Sequence, residues 1–397
     1  MPELKTSDTI KIAVVSGSRA DYGLLYSVMK AIQAQPDISL LTVLTGMHLS
    51  PEFGNTHTVV SSDGFTIDAK VECLLSADTE SAIAKSMGLG VIGFSDALQR
   101  LAPDLLLVLG DRFEIFAAVQ TALIMRIPVA HIAGGDSTEG AFDESLRHSI
   151  TKMAHLHFTT NQRATQRVMQ MGENPQHVFT VGSPGIDLIH NTPLLSREQL
   201  QTSLNTGFNE KLFLVTFHPE TLDGGDIQQQ CQQLFAALDH YADQCSVIIS
   251  KANADTGGRH INRLLEDYAR QRDNVLMVAS LGQQLYYSAI AQADVVIGNS
   301  SSGLYEAPSL HTPTVNLGQR QKGRLRAISV VDCAIETQAI IRAIDTALTM
   351  DCSNIVNPYG DGQATQKIMA VLKEYMDKAI LRALIKKHFY QYSYDSQ

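Results

Sequence analysis

The stretch 294–308, DVVIGNSSSGLYEAP, joins a short apolar run to a loop of small polar residues. The apolar run 295–297 predicts a buried strand, which breaks at Gly298 before a helical pattern begins at Leu304. A strand that leads through serines into a helix favours an anion site, because the first helical turn has free backbone N–H groups and the helix dipole attracts negative charge. Glu306, one turn into the helix, could accept two sugar hydroxyls. A phosphate and a diol together indicate a nucleotide, although the same serines also suit a helix N-cap without a ligand.

Arginines follow several of the predicted strands. They are Arg19, Arg112, Arg320 and Arg324. A guanidinium group suits phosphate because its planar fork makes two parallel charge-assisted hydrogen bonds. A single arginine of this kind is more readily explained by a carboxylate nearby, such as Asp21 or Glu114. Four arginines in loops at strand ends favour a phosphate ligand.

Acidic residues form a second group of candidates. They are Asp111, Asp136, Glu139, Asp143 and Glu144. Paired carboxylates in a closed site can have different pKa values and so supply one base and one acid, although Asp143 alone would suit a helix N-cap. The histidines that could also move protons are His131, His148, His155, His157 and His218. His155 and His157 share a strand face, but no third ligand has fitting spacing, so we expect no metal site.

The composition limits the class of protein. A chain of 397 residues is too long for one small core, so two or three domains are expected. The net charge of −10 argues against nucleic acid or an anionic membrane surface as a partner. The five scattered cysteines, without a CxxC pair, favour reduced thiols in the cytoplasm. We see neither the apolar segment of a signal peptide nor a membrane-spanning run.

Short apolar runs alternate with helical patterns, and this favours parallel sheets covered by helices on both faces. Strands are predicted at 11–15, 40–44, 105–109, 129–132, 155–159 and 178–181, and then at 212–217, 247–250, 274–278, 295–297 and 313–316. The segment 48–75 is interpreted as irregular, and 363–387 as one or two helices. Two similar doubly wound halves are predicted, divided near 185–195. Most unusual polar loops follow strands, and ligands of such sheets bind at the carboxyl ends of strands.

Eight motifs occur in order along the chain. They are SGSRADYG (16–23), MHLSPEFG (47–54), GDRFE (110–114), HIAGGDSTEGAFDE (131–144), RHSITKMAHLHFT (147–159), HPET (218–221), GNSSSGLYEAP (298–308) and NLGQRQKGR (316–324). With these motifs the chain resembles the hydrolysing UDP-N-acetylglucosamine 2-epimerases over nearly its whole length. The resemblance implies an α/β fold of two Rossmann-like doubly wound domains, GT-B type, with the active site in the interdomain cleft. It implies an N-terminal domain at 1–188 with the acid and base residues, a UDP-binding domain at 189–362, and helices at 363–397 that pack back on the N-terminal domain.

The resemblance also implies a reaction. The family converts UDP-N-acetylglucosamine and water into UDP and N-acetylmannosamine, which enters bacterial sialic acid synthesis. Because the proton on C2 is not acidic, the family eliminates UDP across C1–C2 to a glycal and then adds water with the opposite outcome at C2. Departure of UDP leaves positive charge at C1, so stabilisation of the leaving group matters. No cofactor and no metal are implied, and the expected assembly is a cytoplasmic homodimer or homotetramer.

Residues that match the family's motifs have implied roles. Arg19, Ser301 and Ser302 are expected at the diphosphate, and Glu306 at the ribose hydroxyls. Further residues expected to face UDP are Ala20, Arg112, His218, Asn253 and Arg320.

The acid and base positions of the family match Asp111 and Asp143. One departure concerns the HIxGG segment, whose third residue is Glu in some members and in the non-hydrolysing relatives. Here that residue is Ala133. We hypothesise that Glu139 or His131 takes the place of the missing carboxylate.

Other functions remain open at this point. The same chemistry could act on UDP-2,4-diacetamido-2,4,6-trideoxyglucose, a precursor of legionaminic-type acids, because the motifs bind UDP and C1–C2 rather than C4 or C6. A non-hydrolysing epimerase, a GT-B glycosyltransferase and a non-catalytic nucleotide-sugar sensor are further alternatives. The acids at strand ends argue against the sensor, since a protein that only binds a dianion gains nothing from them.

Overall fold

The structure is a computed structural model, and it describes residues 9–76, 79–137, 143–218, 226–251, 258–278 and 281–391. The chain divides into two compact units. The first contains Met1–Leu188 and Gly362–Gln397, and the second contains Ile189–Asp361.

The first unit is built on a parallel sheet with the strand order β3-β2-β1-β4-β5-β6-β7. Its strands are β1 (Ile10–Ser16), β2 (Ile38–Thr45), β3 (Ile67–Val71), β4 (Leu105–Leu109), β5 (Val129–Ile132), β6 (Leu156–Thr159) and β7 (Val178–Thr180). The helices along this part are α1 (Arg19–Gln33), α2 (His57–Ser62), α3 (Glu80–Leu101), α4 (Phe113–Ile124), α5 (Asp143–Met153), α6 (Gln162–Gln170) and α7 (Pro184–Asn191).

The central strand of this sheet is buried on both faces. Ile12 and Val14 belong to a core shared with α1, while Ala13 and Val15 belong to a second core shared with α3 and α4. Side chains alternate between the two faces of a strand, so a strand covered on both sides must be apolar throughout. This explains why the strand positions are readable from the sequence.

The second unit has a parallel sheet with the order β10-β9-β8-β11-β12-β13. Its strands are β8 (Lys211–Thr216), β9 (Cys245–Ser250), β10 (Val275–Val278), β11 (Val295–Gly298), β12 (Thr314–Leu317) and β13 (Val330–Cys333). Its helices are α8 (Arg197–Leu204), α9 (Ile227–Asp239), α10 (Gly258–Arg270), α11 (Gly282–Gln292), α12 (Ser302–Tyr305) and α13 (Thr337–Leu348).

The two parallel sheets confirm the predicted α/β class. The sequence analysis did not predict β3 or β13. Both lie at sheet edges, where several side chains are only partly buried and the apolar pattern is weak. Across the described ranges, no helix combines the length and the apolar character needed to cross a bilayer.

The C-terminal helices α14 (Ala364–Glu374) and α15 (Lys378–Leu384) belong to the first unit. Ile368 and Leu372 on α14 pack into the core that contains α1. The start of α14 is fixed by Asp187 on α7, whose carboxylate accepts hydrogen bonds from the backbone N–H groups of Ala364 (2.9 Å) and Thr365 (2.6 Å). A buried side chain from another helix therefore caps α14.

We expect Asp187→Ala to weaken the attachment of α14. The variant leaves two N–H groups of a buried helix start without an acceptor, which costs about 2–3 kcal/mol. Hydrogen exchange of the α14 amides, followed by mass spectrometry, should become markedly faster. Asp377→Ala is the matched control, because Asp377 caps the exposed start of α15 in the same way (Ala379 N–H, 2.7 Å) and should cost only about 1 kcal/mol. Equal effects of the two substitutions would contradict this role of Asp187.

Candidate functional site

A buried carboxylate lies at the carboxyl ends of β1, β2 and β4. Glu114, in the first turn of α4, has no exposed surface. Arg112 Nε donates a hydrogen bond to Glu114 Oε1 at 2.6 Å. A Cβ atom on Gly17 would collide with this carboxylate, and one on Gly46 would lie 2.7 Å from Oε1. The two glycines therefore provide the space that the acid fills.

Asp21 completes this cluster from the first turn of α1. Its Oδ2 lies 3.7 Å from Arg112 Nε. Burial raises the pKa of Asp21 to about 6, and the charge of Glu114 adds to the rise while Arg112 opposes it. Asp21 and Glu114 are the carboxylates that the sequence analysis named as the alternative partners of Arg112. A contact of Arg112 with UDP stays a prediction.

Asp111, Asp143 and Arg147 form a group around the end of β4 and the start of α5. Arg147 lies one helical turn after Asp143, and its Nη2 contacts Asp111 Oδ2. Its Nη1 donates to the carbonyl oxygen of Asp136 at 2.7 Å. Burial raises the pKa of Asp143, and the charge of Asp111 raises it further. Two carboxyl groups in different environments near one guanidinium can serve as an acid and a base.

His131 is enclosed within the protein beside this group. It has no exposed surface, and its Nε2 donates to the carbonyl oxygen of Gly110 at 2.7 Å. Its Nδ1 lies 3.3 Å from Thr151 Oγ1 on α5. Burial lowers the pKa of His131 to about 3. The ring is thus a neutral link between the residue that precedes Asp111 and the helix that carries Asp143.

Asp136 follows β5 and turns toward the end of β6. Its carboxylate accepts hydrogen bonds from Thr160 Oγ1 (2.8 Å) and Asn161 Nδ2 (3.1 Å). The preceding Gly135 has φ +79°, and a Cβ there would lie 2.5 Å from the Ala164 carbonyl oxygen. Because residue 135 is a glycine, the backbone can pass close to Ala164, and this directs the Asp136 side chain toward Thr160 and Asn161. The sequence analysis counted Asp136 among the acids and gave it no role.

The end of β1 leads directly to Arg19 and Ala20, which are both exposed in the first turn of α1. Arg19 has no hydrogen bond or ion pair with any described residue. Behind this turn, the buried His48 joins Ser16 Oγ (2.9 Å) to Thr56 Oγ1 (2.8 Å). His48 therefore fixes the loop after β2 against the end of β1.

In the second unit, Asn299 connects three loops at the carboxyl ends of strands. Its Oδ1 accepts from the backbone N–H of His218 (2.7 Å), and its Nδ2 donates to the His218 carbonyl (2.8 Å). Its own carbonyl accepts from Arg320 Nη1 (3.0 Å) and Gln321 Nε2 (2.8 Å). Asn299 thus fixes the loop after β8 through its side-chain amide and the loop after β12 through its main-chain carbonyl, and both loops contain predicted site residues.

The serines after β11 form a chain of hydroxyl groups. Tyr286 on α11 lies with its hydroxyl 2.5 Å from Ser302 Oγ, which donates to Ser300 Oγ at 3.1 Å. The predicted helix from Leu304 is wrong in extent, because α12 ends at Tyr305 and a 3-10 turn containing Pro308 follows. The helix dipole is correspondingly small, so anion binding here would depend on hydroxyl and arginine donors.

Glu306 was predicted one turn into the helix, but it lies between the end of α12 and the 3-10 turn. Its Oε2 is buried and has no hydrogen-bond partner among the described residues. Burial raises the pKa of Glu306 to about 7, with Arg324 as an opposing charge. An unpaired buried acceptor of this kind suits a hydroxyl-bearing ligand.

The predicted site residues fall into separate groups. The first unit brings together Asp111, Asp143 and Arg112 near β4, and the second brings together His218, Ser301, Ser302 and Arg320 around Asn299. Glu139 and Asn253 lie outside the described residues. No three His, Cys, Asp or Glu side chains in the described part of the chain are arranged to hold a metal ion.

No role was predicted from the sequence for Arg147, His48 or Asn299, and Glu114 was predicted only as an alternative partner of Arg112. All four lie in motifs quoted above, namely RHSITKMAHLHFT, GDRFE, MHLSPEFG and GNSSSGLYEAP, and these motifs were the available signal. The partners themselves are distant in sequence, so local patterns do not reveal them.

Comparison with known proteins identifies the class. The model of the UDP-N-acetylglucosamine 2-epimerase family matches residues 30–373, and the chain belongs to this family. Its fold matches the crystal structure of UDP-GlcNAc 2-epimerase from Neisseria meningitidis bound to UDP-GlcNAc, with TM-score 0.73 and 20% identity over 92% of this chain and 100% of that one.

Curated relatives narrow the class to hydrolysing enzymes. The chain is 40% identical to the GDP/UDP-N,N'-diacetylbacillosamine 2-epimerase (hydrolyzing) of Campylobacter jejuni, over 82% of this chain and 84% of the relative. It is 34% identical to the UDP-N,N'-diacetylbacillosamine 2-epimerase (hydrolyzing) of Legionella pneumophila, over 91% and 95%. The protein is thus an enzyme of the hydrolysing nucleotide-sugar 2-epimerase type.

Glu306 should make the stability of the second unit depend on pH. Between pH 4.5 and 7 the folded state holds a proton on Glu306 that the unfolded state releases, so the free energy of unfolding falls as pH rises. Above pH 7 the free energy of unfolding should be lower than at pH 4.5 by about 3 kcal/mol at most. Glu306→Gln should remove this part of the pH dependence in calorimetric scans from pH 5 to 8 without ligand, whereas the exposed control Glu336→Gln should leave it unchanged. A pH profile that Glu306→Gln leaves intact would contradict the buried carboxyl assignment.

Proposed function

We propose that the protein hydrolyses a UDP-linked 2-acetamido sugar with inversion at C2. A base removes the proton on C2 while the C1–O bond to UDP breaks, which gives UDP and a glycal. Water then adds its hydroxyl to C1 and a proton reaches C2 from the opposite face, so the products are UDP and the free 2-epimeric sugar. The observation that carries this proposal is the pair Asp111 and Asp143 around Arg147, because the reaction needs both an acid and a base.

The first unit supplies these proton-transfer groups in the proposal. Asp143, whose pKa is raised by burial, is suited to hold or deliver a proton, and Asp111, in contact with Arg147, is the second carboxyl group of the pair. His131 holds the carbonyl before Asp111 through its Nε2 hydrogen and acts as a positioning residue. Glu139 stays a candidate for the carboxylate that other members carry at the position of Ala133.

The second unit supplies leaving-group donors in the proposal. Arg320 and the serines at 300–302 would hold the diphosphate, and Glu306 would accept the ribose hydroxyls. Stabilising the departing diphosphate lowers the barrier because negative charge accumulates there as the C1–O bond breaks. Arg19 of the first unit, exposed and without a described partner, is the further cation proposed for this role.

The substrate that we favour is UDP-2,4-diacetamido-2,4,6-trideoxyglucose, whose sugar is also called diacetylbacillosamine. The sequence analysis ranked UDP-N-acetylglucosamine first and this sugar second. Both curated relatives described above are named for diacetylbacillosamine, which supports the opposite order. UDP-N-acetylglucosamine is the second candidate, because the solved structure of similar fold binds it. The name of the Campylobacter jejuni relative includes GDP as well as UDP, so the preference for uracil or guanine in the nucleotide also needs a test.

Turnover of matched nucleotide sugars would test this proposal. We expect the highest kcat/KM with the UDP-diacetamido sugar and a lower value with UDP-N-acetylglucosamine. The kcat/KM of the GDP-diacetamido sugar, measured alongside, would identify the preferred nucleobase. In heavy-oxygen water the free sugar should carry the label at C1, and in deuterated water it should carry deuterium at C2. Product that retains the nucleotide, or free sugar without deuterium at C2, would refute hydrolytic epimerisation by elimination.

Variants of the first unit should separate proton transfer from positioning. Asp111→Asn and Asp143→Asn should lower kcat by about 10²–10⁴-fold, and Glu139→Gln by about 10²-fold if it is a general acid or base.

His131→Gln can still donate to Gly110 and should keep the shape of the pH–rate profile, whereas His131→Leu should lower kcat without removing a limb of that profile. Asp96→Asn, on the exposed face of α3, is the control. Loss of a limb in His131→Gln would make His131 a proton-transfer group instead.

A further inference from the structure

A cavity of about 370 Å³ lies in the first unit, under the segment that follows α15. His155 comes just before β6 and His177 just before β7, so the cavity is at the amino ends of these strands. Asp111 and Asp143 follow the carboxyl ends of strands in the same sheet. The cavity is therefore at the opposite edge from the proposed proton-transfer groups.

Two residues that line this cavity, Glu173 and Lys387, belong to an ionic cluster. Glu173 is 1% exposed and accepts hydrogen bonds from Lys152 Nζ (2.5 Å), His157 Nε2 (2.9 Å) and Lys387 Nζ (2.6 Å). Although burial opposes the charged form, these hydrogen bonds lower the pKa of Glu173 to about 2. Lys387 also donates to the carbonyl oxygens of residues 152 and 154. The cluster thus uses both oxygens of its carboxylate and keeps an excess of positive charge.

His155 presents a directed donor that the protein does not use. The residue is 5% exposed, and its Nδ1 accepts from the backbone N–H of Val129 at 3.1 Å. Burial lowers its pKa to about 4, so the neutral ring carries its hydrogen on Nε2. Nε2 has no partner among the described residues, and the ring lines the cavity. This donor, held in a fixed direction at the cavity wall, is available to an acceptor inside the cavity.

Asn174 and Lys386 add further donors to the wall. The Asn174 oxygen already accepts from the Gln176 N–H at 3.0 Å, so its NH₂ group remains available. Lys386 is exposed at the rim and has no ion-pair partner among the described residues. Tyr375, Leu384 and Phe389 supply apolar surface. Unused donors, a net positive wall and apolar rings favour an acceptor-rich anion with an apolar body.

We infer that this cavity is a second binding site, for a small organic anion that carries a carboxylate or phosphate group on an apolar ring. The anionic group accepts from His155 Nε2 and from Lys386, while the ring packs against Phe389 and Leu384. The volume is sufficient for a ligand of one ring, since small-molecule sites usually begin near about 300 Å³. This inference does not depend on the proposed function.

Calorimetric titration of the full chain would test the site. The probes are phenyl phosphate, benzoate, inorganic phosphate and the neutral benzyl alcohol, each added in the presence of saturating UDP. We expect saturable binding of phenyl phosphate and benzoate, with benzyl alcohol at least about tenfold weaker because it lacks the charge. Inorganic phosphate should also bind more weakly, because it lacks the ring.

Two variants separate this site from other anion sites. His155→Asn keeps an acceptor for the Val129 N–H but loses the Nε2 donor, and Lys386→Gln removes the charge at an exposed position that should not affect folding. Each should weaken phenyl phosphate binding by about fivefold to tenfold, whereas the exposed control Lys85→Gln should not. Unchanged affinity in both variants, equal binding of benzyl alcohol, or no saturable binding would overturn the inference.

Discussion

The burial of the Glu114 carboxylate is the constraint on which the polar edge of the first sheet depends. An ionised carboxylate without exposed surface is unfavourable unless a cation and hydrogen bonds compensate for the lost water. Arg112 provides the cation at 2.6 Å, and Gly17 and Gly46 leave room for the acid. The direction of the Arg112 side chain is consequently fixed by a partner inside the protein. The loops after β1, β2 and β4 must keep this arrangement together.

In the second unit, the loops at the strand ends are held together by a neutral buried group instead of a charged one. An amide can donate and accept at once, so Asn299 joins the backbone of His218 in both directions without placing a charge in the interior. Its main-chain carbonyl then accepts a hydrogen bond from Arg320 Nη1. Asn299 therefore positions this guanidinium group at the strand ends without placing a second charge in the interior.

Sequence reasoning succeeds where the signal is local. Strands such as β4 and β5 were predicted at their observed bounds, because burial on both faces makes every residue apolar. It fails for the edge strands β3 and β13, although the other two edge strands, β7 and β10, were predicted. It also fails for pairs such as Asn299 and His218, which are 81 positions apart and have no shared pattern. The helical pattern predicted from Leu304 also does not continue, because α12 ends at Tyr305 and a 3-10 turn containing Pro308 follows. Positions of loops were thus predictable, whereas the contacts inside them were not.

Burial divides the ionisable groups of the first unit into two sets. It lowers the pKa values of His48, to about 4, and His131, to about 3, and it raises those of the carboxyl groups of Asp21 and Asp143. Near neutral pH the first set stays neutral and can only donate or accept fixed hydrogen bonds. The second set moves toward the range in which protons exchange. In this unit, a reaction that both removes and returns a proton at carbon is therefore better served by carboxylates. The buried histidines instead hold loops and helices, since His48 joins Ser16 to Thr56 and His131 bonds the carbonyl of Gly110.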